Sequence, residues 1–193
     1  LGPDVVLDDL LVVDRDLSGQ QAPGARLDGA RLERVVLDGV RLTNARLVET
    51  ELDECRADVL SIVGASLAEV TLTACRVGAL EAFDAELSDV TVRGGKLDLV
   101  NLRGARLRDV TLEDVVVGEL DLADAEAVRV RLVGCRVERL DLTRARLRDV
   151  DLRGADLDGL EGLAGLAGAT ISSEQLVRLA PALARHLGIL VDD

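Results

Sequence analysis

The only histidine in this sequence of 193 residues is His186, close to the C-terminal end, so neither a Ser, His and Asp arrangement nor a histidine-rich metal site can be assembled. The three cysteines, Cys55, Cys75 and Cys135, are separated by multiples of 20 residues. Their number is odd, and the repeat described below makes the side chains of Cys55 and Cys75 run parallel, so they read as small, reduced, buried hydrophobes rather than a disulfide. Ten of the 18 glycines recur at spacings set by corners, with no helix following them, so no phosphate-binding loop is formed. No catalytic, cofactor or metal site is predicted, and the chain is read as a non-enzyme.

What remains is surface chemistry, and it also recurs by twenties. Glu49, Glu69, Asp89 and Asp109 form an acidic file that is interrupted at Arg129 and resumes at Asp149. Arg56, Arg76, Lys96 and Arg136 form a basic file, with Asp58, Asp98 and Glu138 two residues further on, so ion pairing across the surface is predicted, each pair individually weak. Val63 and Phe83, beside Val59 and Leu99, form a candidate apolar patch.

These files require an element that brings residues 20 apart into line. Every fifth residue from Leu27 to Leu157 gives 27 positions, of which 19 are Leu, four Val, one Ile and three Ala. Two residues earlier in each five stands a second apolar or small class, in which only Thr50 carries a polar atom and Gly95 has no side chain. The other three positions hold nearly all the charge. A period of five fits neither a 3.6-residue helix nor a long alternating strand, and instead needs a chain that turns a corner every five residues. Ala recurs at 25, 45, 65, 85, 105, 125 and 145. Four fives therefore make one coil, and stacked coils share a core that no single unit could form alone. Ten glycines, such as Gly24, Gly29 and Gly64, fall two residues after a central position, where a corner favours positive φ.

The register resembles the pentapeptide-repeat family, whose motif reads Ala, Asp or Asn, Leu or Phe, then any two residues. The resemblance implies an all-β, right-handed, four-sided β-helix over residues 25–159, continuing back in phase through Leu7, Val12, Leu17 and Ala22. Residues 1–24 are read as an N-terminal cap or degenerate first coil, because Arg15 and Gln20 would occupy inward sites there. One departure from the motif is that the residue before the centre is more often Arg, Glu or Thr than Asp or Asn. At about 4.8 Å per coil the repeats predict a rod about 32 Å tall.

Residues 160–193 lose the phase and are read as a C-terminal helical cap. Ser172 or Ser173 is the candidate N-cap, Glu174 lies in the first turn, and Gly188 closes the helix. Pro181 predicts a kink or a break at Ala180. Leu176, Leu179, Leu183 and Leu187 share one face, and Ile189, Leu190 and Val191 follow. The resemblance implies a homodimer through this segment, as in the best-known family members; the alternative is a lid on the chain's own core.

The net charge of −13 excludes nonspecific nucleic-acid binding. The longest uncharged stretch, Gly162 to Ser173, is 12 residues, too short to span a membrane, and no signal-like start is present, so a cytoplasmic protein is expected. Two functions fit. One is a scaffold for protein–protein interaction with an unknown partner. The other, implied by resemblance to the quinolone-resistance members of the family, is an acidic DNA mimic that binds DNA gyrase or a related type II topoisomerase.

Overall fold

The structure, a computed structural model, describes residues 2–191; residues 1, 192 and 193, the outer ends of the two flanking segments, lie outside the described residues. The chain winds as a right-handed four-sided β-helix of about eight coils. Its strands pair in parallel with a 20-residue offset: Leu7, Leu27, Leu47, Leu67, Leu87, Leu107, Ala127 and Leu147 lie side by side in successive coils. The four faces are named here by their residues in one coil: the Leu27, Leu32, Leu37 and Leu42 faces. The two inward positions of each five fill the core, as with Ala25, Leu27, Ala30 and Leu32, all buried. Thr50, the one hydroxyl in the inner class, donates to the carbonyl of Val48 at 3.0 Å and so costs the core no orphaned group. Because the centres are Leu, Val, Ile or Ala throughout, a narrow apolar void of about 110 Å³ runs through the core.

Residues 5–24 form a coil in the same register. Val6–Asp8 pairs with Arg26–Asp28, and Leu11–Val13 pairs with Arg31–Glu33. Arg15 is exposed at the rim and Gln20 is half-buried, because no described coil lies beneath them.

The corners show why acids are common there. Seventeen non-glycine residues have positive φ, and all of them occupy the fifth position of a unit; ten are Asp or Asn. Those short polar side chains tolerate the left-handed region better than most. Eight of the ten corner glycines have positive φ as predicted, while Gly154 and Gly159 do not.

The corner between the Leu37 and Leu42 faces is different. It is left-handed at Gly19 and Gly39, but not at Val59, Ala79, Leu99, Glu119 or Arg139. The left-handed region is strained for a β-branched residue such as Val59, so the backbone takes another path and the ladder continues around the bend. The strands Arg56–Ser61, Arg76–Glu81 and Lys96–Asn101 cross this corner unbroken, as Ser66–Thr73 and Glu86–Arg93 cross the left-handed corner at Glu69 and Asp89.

Beyond Glu161 the exit segment lies on the last coil. A Cβ on Gly165 would stand 2.0 Å from the Leu142 carbonyl oxygen, and one on Gly168 would stand 2.0 Å from that of Leu147, so both positions require glycine. Ala169–Thr170 then pairs with Val150–Asp151. A single helix, α1 (Ser173–His186), follows. The predicted break at Ala180 is corrected here: α1 runs through Pro181, which removes one backbone donor without ending the helix. Gly188 (φ 71) closes it.

Candidate interaction surfaces

The surface is organised by the coil repeat. Side chains one coil apart on an outer column meet directly, and eight ion pairs join residues 20 positions apart, among them Arg31–Glu51, Arg93–Glu113 and Arg139–Glu119. The predicted pairing with the residue two positions on occurs at Lys96–Asp98 (2.6 Å), whereas Arg136 instead reaches Asp158 in the next coil at 3.3 Å. The vertical partner is the nearer one on most columns, and only the stacking distance reveals that.

The acidic file stands at the corner between the Leu27 and Leu32 faces, and each of Glu49, Glu69, Asp89 and Asp109 has positive φ. Backbone geometry is thus one reason for acids there. Glu49, Glu69 and Asp89 make no ion pair among the described residues. Asp109 is different: both its oxygens accept from Arg129, at 2.5 and 2.6 Å. That hydrogen bond, followed by the charge of Arg129, holds the Asp109 carboxyl below its ordinary range. Arg34 on Asp14 and Arg144 on Asp124 repeat the same two-pronged contact between stacked corners. This device escaped the sequence reading, although an Asp with Arg 20 residues later was its visible sign.

The position before the centre has its own role. Where Asp or Asn occupies it, except at Asp156, which instead takes the guanidinium of Arg178, the side chain accepts the backbone N–H two residues on: Asp16 from Ser18 (2.8 Å), Asn101 from Arg103 (3.1 Å), Asp121 from Ala123 (2.9 Å) and Asp141 from Thr143 (2.8 Å). Asp151 accepts from Arg153 in the same way and also takes its guanidinium, which together lower its carboxyl to about 2.

The apolar patch is assembled at the unusual corner. Ala79 stands between Val59 and Leu99 in the ladder, so the three form one column. Val59 is 40% exposed, and Leu99 and Phe83 are each 37% exposed, while Val63 is half-buried. The basic file lies on the same strands, with Arg56, Arg76 and Lys96 in register; Val116 then separates it from Arg136. The cysteines are free and buried. Their thiols point at carbonyls below, Cys55 at Leu32 (3.4 Å), Cys75 at Leu52 (3.5 Å) and Cys135 at Leu112 (3.3 Å). The neighbouring Cys55 thiol, together with burial, pushes the Cys75 thiol up, and burial does the same at Cys135.

Helix α1 covers the end of the core with little of its own apolar surface. Gln175 is its one buried residue, Leu179 and Leu183 are half-buried, and Leu176, Leu187, Ile189 and Leu190 are exposed, Leu190 at 96%. Among the described residues no helix is long and apolar enough to cross a membrane.

A parallel four-sided solenoid whose units are five residues long, with two inward positions and a corner, defines the class of protein. The family model for pentapeptide repeats matches residues 16–56 and 121–159 in eight copies, and the 20-residue register runs unbroken between the two stretches, so the chain belongs to the pentapeptide-repeat family. Comparison with curated proteins finds no match. Among solved structures, the chain is similar to HetL, a pentapeptide-repeat protein involved in heterocyst differentiation regulation from the cyanobacterium Nostoc sp., at 19% identity over 89% of this chain and 91% of that one, with a TM-score of 0.46. It is also similar to full-length QnrB1, a plasmid-mediated fluoroquinolone resistance protein, at 17% identity over 95% and 100% of the two chains, with a TM-score of 0.30.

Proposed function

We propose that the protein is a non-enzymatic scaffold that binds a partner protein at the apolar corner formed by Val59, Ala79 and Leu99, with Phe83 and Val63 alongside. The observation that carries this reading is the corner itself. A column of apolar side chains, Val59 and Leu99 exposed and Ala79 half-buried, sits where the backbone has abandoned the left-handed turn used at the other corners. The buried centre of a protein interface is apolar, and charges at its exposed rim contribute less to binding. Site-specific photo-crosslinking from position 99 tests it. A partner captured by the otherwise native chain should be lost in Phe83→Ala and retained when Glu49 and Glu69 are reversed to Lys; the opposite pattern would remove this reading.

The acidic file supports a second reading, in which the rod stands in for DNA at a type II topoisomerase. Glu49, Glu69 and Asp89 supply three unpaired carboxylates in line, but the fourth, Asp109, is engaged by Arg129. A gyrase supercoiling assay decides this point, since a mimic inhibits at micromolar concentration and loses inhibition on reversal of two file charges. In either case the exposed apolar residues of α1 and the segment after it support a homodimer through the C-terminal end.

A further inference from the structure

Outward side chains one coil apart lie about 4.8 Å from one another, so like charges stacked in a column repel. Eight ion pairs on this rod answer by placing opposite signs one above the other, although the Glu49, Glu69 and Asp89 file stacks like charges. The column Arg56, Arg76 and Lys96 departs from that pattern, with three cations in parallel register on adjacent strands. Lys96 is neutralised by Asp98, whereas Arg56 and Arg76 make no ion pair among the described residues.

The backbone gives a reason at Arg76. The position two residues on is Asp58 in the coil below and Asp98 in the coil above, but Gly78 between them, where a Cβ would lie 2.6 Å from the Asp58 carbonyl oxygen. No side chain fits there without a shift of the backbone, so Arg76 has no carboxylate beside it in its own coil. The file borders a groove of about 520 Å³ lined by Arg56, Arg76 and Lys96 on one side and by Ser18, Asp38, Asp58, Gly78 and Asp98 on the other. Three residues beyond the cations, on the same strands, stand Val59, Ala79 and Leu99.

We propose that Arg76, with Arg56 stacked beneath it, is an anion seat for a carboxylate of an acidic segment of the partner protein, whose apolar side chains rest on the Val59, Ala79 and Leu99 corner. The inference rests on reading that corner as the docking surface and adds the chemistry of what docks there. The acids opposite the file, and the net charge of −13, disfavour a long polyanion and favour a single carboxylate brought in on an apolar segment.

The test is an NMR titration of the intact chain with three probes: a capped hexapeptide alternating leucine and glutamate, its leucine and glutamine counterpart, and inorganic phosphate. The glutamate peptide should shift the Arg56 and Arg76 side-chain signals together with the Leu99 methyls. It should bind about three- to fivefold more tightly than the glutamine peptide, and this advantage should vanish in Arg76→Gln and shrink as salt rises from about 50 to about 500 mM. Equal binding of the two peptides, or an advantage that survives Arg76→Gln, overturns the anion seat and leaves the apolar corner standing. Phosphate acting on the same arginine signals at lower concentration than the glutamate peptide overturns the assignment to a protein carboxylate. Silence of those signals with both peptides at millimolar concentration also overturns the proposal, while the crosslinking experiment at position 99 separately decides the corner.

Discussion

The side-chain amide of Gln175 donates to the backbone carbonyl of Leu152 at 2.6 Å, doing for the last coil what the backbone N–H of a further coil does elsewhere in the rod. The same nitrogen also reaches the Ala155 carbonyl at 2.8 Å, while its oxygen accepts the Ser172 N–H at 2.7 Å. Ser172 in turn accepts the N–H of Gln175 at 3.1 Å, so one residue both opens α1 and closes the solenoid. Replacing Gln175 with Ala should lower stability by about 1–3 kcal/mol, because buried carbonyls lose their donor. Thermal unfolding followed by circular dichroism measures this, and the neighbouring Glu174→Ala, on an exposed position, serves as the control that should change little.

Leu107 lies between Leu87 and Ala127 in the ladder and is 4% exposed. Leu107→Asp should leave no folded protein at neutral pH, since an unpaired carboxylate would sit in a core lined by hydrocarbon. A soluble variant with native circular dichroism and melting would contradict the inward placement of the central residues.

The lowered carboxyl of Asp151 makes a prediction about acid. Its unfolded value is about 3.8 and its folded value about 2, so its contribution is fully present above the unfolded value and is lost as pH falls from about 4 through about 2. Because Arg153 is largely exposed, the effect should be small, about a degree or two in Tm. Melting of Asp151→Asn against the native chain should show a gap at pH 6 that closes by pH 2.

The three thiols should be inert while the rod is folded. Each is buried, and burial shields Cys55 although the neighbouring Cys75 lowers its thiol to about 7, while the Cys75 and Cys135 thiols are held above their ordinary range. A thiol-reactive chromogen should report almost no reaction in native buffer and three equivalents in denaturant. Prompt labelling of one thiol in native buffer would mean that the coil opens locally at that cysteine.

The C-terminal surface is tested by sedimentation. A Leu176→Glu, Leu187→Glu double variant should convert the proposed homodimer to a monomer without loss of helix, because both side chains are already exposed in the single chain. A native chain that sediments as a monomer at micromolar concentration would remove the dimer.

Much of this fold was legible in sequence because the core is one-dimensional. Every coil buries the same two positions, so a slip of one residue would place Arg26 or Asp28 where Leu27 now sits, and the repetition from Leu27 to Leu157 admits one solution. The acid and base files, an N-cap at Ser172 or Ser173 and the helix end at Gly188 follow from the same local logic, and the structure selects Ser172. Three features required the folded chain. The corner at Val59 shares its sequence position with Gly19 and Gly39, and its change of path depends on how the coils above and below accept it. The continuity of α1 through Pro181 runs against the local bias that proline places on Ala180. Which acid each arginine meets is decided by stacking distance between coils, as when Arg129 takes both oxygens of Asp109 from 20 residues away. Sequence determines which side chains face inward, since burial repeats with the chain. Only tertiary structure decides which outward side chains meet, because on a solenoid the nearest neighbour is often one full coil away.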